Sequence, residues 1–189
     1  MATDFVKEKR YSDAVSIFEE LAKNNEHDAQ YNLAFLISSG KGITKNYSEA
    51  HFWAFLSHLG KIEKAEDLAE DLKDIVPEKV LKDVREKVLK HLLERFDNRD
   101  RAVLTELGDF YLLVLDEQDF ENAYIWYSVA SALGIENSGE IRDKVEKELE
   151  PDTIIKMQVA SRKRYKEFTK EEAIKSEKKI ETTDQDYES

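Results

Sequence analysis

No cysteine occurs in the 189 residues, which excludes disulfides, thiolate zinc sites, iron–sulfur clusters and cysteine nucleophiles together. Only 2 prolines and 6 glycines are present, too few for the turns of a many-stranded sheet. Helix formers such as Leu, Ala, Glu and Lys fill the space instead. Long apolar runs are missing as well, and no stretch approaches the 18 or so residues that crossing a bilayer requires. The N-terminus has neither the basic start nor the apolar stretch of a secretory signal. Cations are the scarcer charge, 29 Lys and Arg against 41 Asp and Glu. A net charge of −12 disfavours nucleic acid as a partner, because binding a phosphate backbone is driven by Lys and Arg displacing counterions.

What is present is repetition. Ala50-His51-Phe52-Trp53 returns 73 positions later as Ala123-Tyr124-Ile125-Trp126, and Leu59-Gly60 returns 74 positions later as Leu133-Gly134. Pro77 and Pro151 are also 74 apart, each opening an apolar run at helical spacing. Leu33 and Leu107 repeat that interval. These matches outline an internal duplication, 29–96 against 103–168, within one helical domain over 1–168. A flexible charged tail is expected over 169–189, where apolar residues thin out.

A shorter period sits inside the longer one. An aromatic followed three residues on by Ala occurs at Tyr11/Ala14, Tyr47/Ala50 and Phe120/Ala123. Small residues at those places suit close approach of two antiparallel helices. The tempo predicts helices at 4–9, 11–24, 27–39, 46–59, 62–75, 78–96, 100–115, 119–133, 138–149 and 152–168. The fold class is therefore all-α, a solenoid of about ten helices in antiparallel pairs.

The segment Ala29-Gln30-Tyr31-Asn32-Leu33-Ala34, the loop Gly40-Lys41-Gly42-Ile43, and Tyr47 through Ala50 to Trp53 together resemble the Sel-one-like repeats, a tetratricopeptide-related class. A second match runs from Leu107-Gly108-Asp109-Phe110-Tyr111 through Ala123 to Trp126-Tyr127. It lacks the glycine loop, where Val114-Leu115-Asp116-Glu117 stands, so its turn should be shorter. The resemblance implies a right-handed superhelical array that binds other proteins. Regions 61–96 and 135–168 share only the helical rhythm. Because only Met1 to Lys9 precede the Tyr11/Ala14 helix, further sequence is expected upstream, with an export signal among the possibilities. Localisation stays open between cytoplasm and periplasm.

Other candidate chemistry reads as structure. Ser39-Gly40-Lys41-Gly42 lacks the Gly-Lys-Ser/Thr ending of a phosphate loop. His51 and His58 are two helical turns apart, roughly 10 Å, too far for one metal ion; no metal or cofactor is expected. Adjacent carboxylates such as Glu66-Asp67 and Glu70-Asp71 read as solvated helix faces, and Trp53 and Trp126 as interhelical packing. No nucleophile elbow occurs, so no enzyme is expected, a small hydrolase being the minor alternative. One basic concentration, Arg162-Lys163-Arg164-Tyr165-Lys166 followed by Lys170, Lys175, Lys178 and Lys179, stands out in an acidic chain. It reads first as a solvated final helix and second as a contact for an anionic partner or membrane surface.

The function expected is protein binding, as an adaptor or assembly factor, with a structural or regulatory subunit as the alternative. If Leu33 and Leu107 are equivalent buried positions, the neighbours turned toward a groove are Tyr31, Asn32 and Phe35 in one repeat and Thr105, Glu106 and Asp109 in the other. Tyr31 and Phe35 would be apolar anchors, and Asn32 and Thr105 would bond an extended ligand backbone. Glu106 and Asp109 would favour a basic partner.

Overall fold

A computed structural model describes the backbone of residues 2–185 and the side chains of residues 2–170. Among the described residues every regular element is helical. The order is α1 (Ala2–Lys7), α2 (Tyr11–Lys23), α3 (His27–Ser39), α4 (Tyr47–Leu59), α5 (Glu63–Lys73), α6 (Glu78–Asp97), α7 (Val103–Asp109), α8 (Phe120–Ala132), α9 (Ser138–Glu146) and α10 (Pro151–Gln185). Apart from 100–115 and the end of the last helix, expected at 168, the expected positions hold to within a few residues, because the apolar spacing that set them is the spacing that is buried. The tail expected at 169–189 falls mostly on residues whose side chains lie outside this description; α10 itself is drawn through Gln185. The chain divides into two compact units, Met1–Leu92 and Leu93–Ser189.

In the first unit α1 to α5 pack in succession, each of α1 to α4 on the next, and the short connections make successive helices antiparallel. Ala14, Ala34, Ala50 and Ala54 are fully buried, so helix backbones approach closely over them. Around them lie Leu33, Leu36, Ile37, Leu56 and Leu59, also shut from solvent. Each such side chain contributes about 1.5–3 kcal/mol of burial.

Helix ends are specified locally. Gly40 ends α3 with φ of 69°, and Lys41 N donates to Leu36 O at 3.0 Å, which satisfies a carbonyl that the helix leaves open. Gly42 also has positive φ, 76°, and a Cβ there would run into the backbone of Tyr11. The glycine loop is thus a tight turn laid on the start of α2. Asn46 then caps α4, its side chain accepting from Glu49 N at 3.2 Å.

A polar clamp joins α2, α3 and α4. Gln30 is fully buried, with Nε2 donating to Ala22 O at 3.2 Å and Oε1 at 2.9 Å from His27 Nδ1. Ser57 Oγ donates to His27 O at 2.8 Å. The His27 ring occupies the space where a side chain at Gly60 would stand.

The second unit contains the end of α6 and α7 to α10. Here the single helix expected over 100–115 is two pieces: α7, then a π-helical turn over Phe110–Val114. Such wide turns accommodate a local register change inside a helix. The connection that follows, Leu115 to Asp119, is shorter than Gly40 to Asn46, in keeping with the lost glycines. Asp119 caps α8, accepting from Asn122 N at 2.9 Å. Gly108 lets α7 approach α8 closely, since a Cβ there would overlap the Tyr127 ring. Trp126 is buried, with the Phe96 ring edge-on at 5.1 Å and the Arg164 guanidinium 5.4 Å from its ring centre. Both tryptophans are packing residues, Trp53 against Phe52 at 4.9 Å in the first unit.

α4 and α8 begin and end 73 positions apart, and so do their caps Asn46 and Asp119. The left-handed residues after them keep that interval, Lys61 with φ of 66° and Gly134 with φ of 72°. The Leu-Gly match at 74 positions is therefore one residue out of structural register.

Candidate protein-binding face

α3 is two-sided. Ala29, Gln30, Leu33, Ala34, Leu36 and Ile37 are buried, whereas Asp28 and Phe35 are exposed and Tyr31 and Asn32 half-buried. Residues 28, 31, 32 and 35 fall on one strip of a helix, so Tyr31, Asn32 and Phe35 share the outward side of α3. Asn32 Nδ2 donates to Asp28 O at 2.7 Å, which fixes its amide along the helix. Phe35 is 43% exposed, an unusual state for a phenyl ring. The glycine turn carries Lys41 back over it, with Nζ 5.5 Å from the Phe35 ring centre and 5.7 Å from that of Tyr11. Exposed contacts of this kind are worth about 0.5–1 kcal/mol each. Tyr11 and Lys41 were not picked out with Phe35 in the sequence, since only the folded turn unites them.

The corresponding strip of α7 is different. Thr105 is half-buried, its Oγ1 donating to Ala102 O at 3.2 Å. Glu106 and Asp109, expected to face a groove, are 4% and 6% exposed. Arg95 donates to Glu106 from both terminal nitrogens, at 2.5 and 2.8 Å, and its Nε donates to Asp100 at 2.8 Å. Burial alone would lower the Arg95 pKa; the bonds and charge of Glu106, then of Asp100, outweigh it and hold the guanidinium above its ordinary value. Tyr127 donates to Asp109 Oδ1 at 2.5 Å. Burial first, then the charge of Asp109, pushes the Tyr127 phenol up. The sequence pattern gave no sign of this, because the cation and the phenol come from α6 and α8. Two buried carboxylates with internal donors do not meet a ligand's lysines, and the basic preference that rested on them is withdrawn.

His51 is fully buried and stacks on Phe55, ring centres 4.1 Å apart. Neither ring nitrogen has a hydrogen-bond partner among the described residues. Burial, with smaller contributions from Arg85 and Lys73, lowers its pKa from 6.5 to about 4, so the ring is neutral. His58, two turns on, is half-buried. Among the described residues no group of three His, Asp or Glu is placed to hold a metal ion, and no helix is long and apolar enough to cross a membrane.

No protein-family model and no curated protein matches the sequence. Among solved structures the chain is similar to c5321, a protective antigen present in uropathogenic Escherichia coli strains displaying an SLR fold, where SLR denotes Sel-one-like repeat. The similarity is at 18% identity and a TM-score of 0.38, covering 87% of this chain and 43% of that one. The chain thus spans less than half the length of that protein.

Proposed function

We propose that the chain is a protein-binding module of the Sel-one-like repeat kind, an adaptor or assembly factor, and that the outward strip of α3 is where a partner seats. The exposed Phe35 ring beneath the Lys41 ammonium carries this reading. Three features support the repeat assignment: the positive φ of Gly40 and Gly42, the buried alanines facing α3 and α4, and the capped start of α4. The order of helices after α2 also runs parallel in the two halves, with Pro77 just before α6 and Pro151 opening α10. We take 29–96 and 103–168 as products of one duplication.

On this reading Phe35 and Tyr31 receive an apolar anchor of the partner, and Asn32 beside them remains a candidate for bonding its backbone. Aromatic residues in such positions dominate binding energies elsewhere. The test is site-specific photocrosslinking, with a benzophenone amino acid placed at Phe35 or, as control, at the exposed Glu121 of α8. A discrete adduct from position 35, absent from position 121 and reduced by Lys41→Ala, supports the reading. Equal labelling from both positions rejects it.

A further inference from the structure

We propose that the solvent side of α10 is a second docking surface, for an acidic amphipathic helix of a partner protein that presents two apolar side chains one turn apart and carboxylates beyond them. α10 packs on α8, and its inward face buries Ser161 and Phe168, with Met157 half-buried between α8 and solvent. On the opposite side, at helical spacing i, i+4, i+7, i+8, i+11 and i+15, stand Ile155, Val159, Arg162, Lys163, Lys166 and Lys170. All six are exposed.

Two properties separate this strip from an ordinary solvated face. Ile155 and Val159 are the most exposed large apolar residues among those described, at 61% and 69%. The cations beyond them, three of them within five positions, form a basic concentration in a chain where carboxylates outnumber cations by twelve. Lys163 meets Glu167 only at 3.9 Å, while among the described residues no ion pair engages Arg162, Lys166 or Lys170. Apolar anchors at one end and cations at the other give the strip a direction, over roughly 22 Å of helix at 1.5 Å per residue.

The chemistry of the occupant follows from complementarity. Carboxylates opposite the four cations speed encounter and fix the register, and side chains opposite Ile155 and Val159 supply burial. An anionic bilayer fits less well. Helices that lie in a membrane surface insert a broad face rich in Trp, Phe or Leu, and this strip has two aliphatics, while Ile154, Met157 and Phe168 pack inward. Nucleic acid would meet four cations on a chain of net charge −12.

The experiment titrates the full chain against three probes by fluorescence anisotropy or light scattering: a labelled amphipathic peptide with two leucines one turn apart followed by glutamates, the same peptide with lysines for glutamates, and vesicles containing phosphatidylserine. The glutamate peptide should bind at least tenfold more tightly than the lysine peptide and weaken as salt rises. The double substitution Lys163→Glu with Lys166→Glu should remove that preference, and Val159→Ser should weaken binding several-fold. Thermal unfolding should be unchanged in both variants, and Phe35→Ala should leave this binding intact, which keeps the α3 reading separate. Equal binding of the two peptides, no binding of either, or vesicle binding without peptide binding would overturn the proposal.

Discussion

Arg95, on the last turn of α6, holds Glu106 of α7 by a two-pronged bond with both side chains shut from solvent. Removing the carboxylate leaves a buried guanidinium with Asp100 alone. Glu106→Gln or Glu106→Lys should lower the free energy of unfolding by about 3–5 kcal/mol, the usual consequence of breaking a buried pair. Urea unfolding measures it. Arg10→Ala, which breaks the exposed pair with Asp13, should change stability by less than about 1 kcal/mol.

The two Leu-Gly dipeptides should fail for different reasons when mutated. Gly60 has an ordinary φ of −76° but no room, with the His27 ring in the way, whereas Gly134 has φ of 72° and open space around it. Gly60→Ala should destabilise markedly and be partly rescued by His27→Ala. Gly134→Ala should cost about 1 kcal/mol through backbone strain alone, with no rescue from any neighbour. Calorimetry of the double variants separates the two cases.

His51 makes stability depend on pH in a defined window. The unfolded chain takes up the imidazole proton near 6.5 and the folded chain only near 4, so between those values the unfolded state holds more protons. The contribution is complete above pH 6.5 and is lost as pH falls toward 4, about 3 kcal/mol in all. Urea unfolding at pH 7 and pH 5 should show a drop in the native chain that is smaller in His51→Leu. Equal drops in both would place the pH dependence elsewhere.

Tyr127→Phe removes the phenol that donates to Asp109 and leaves a buried carboxylate short of a donor. The expected loss is about 1–3 kcal/mol. Asp109→Asn in the same background should recover part of it, a coupling that a double-mutant cycle reads directly.

The helices were legible because their information is local. The aromatic-to-alanine steps and the two prolines act within a turn or two of the chain. The face of α3 was legible too, since strip geometry follows from spacing alone. α7 was not: Thr105, Glu106 and Asp109 have the spacing of an open strip, but Arg95 and Tyr127 reach them from other helices. The π turn at Phe110–Val114 escaped for a related reason, as a helical pattern does not reveal how wide each turn is wound. Lys41 was read as part of a turn, and its place over Phe35 depends on the path the turn takes.

The clamp built from Gln30, His27 and Ser57 limits how the molecule's parts can be exchanged. The residue 74 positions after Gln30 is Leu104, also fully buried, and the residue 74 after His27 is Arg101, whose guanidinium donates to Leu133 O at 2.5 Å. The same corner is closed by an amide in one place and by a guanidinium in the other. Grafting the 101–113 segment in place of α3 would set a leucine beneath Ala22 O and put Arg101 where the His27 ring lies against Gly60. Arrays lengthened by cutting and pasting from this chain must therefore move the end of α2 together with α3 and α4, a three-helix cassette rather than the two-helix one its periodicity advertises.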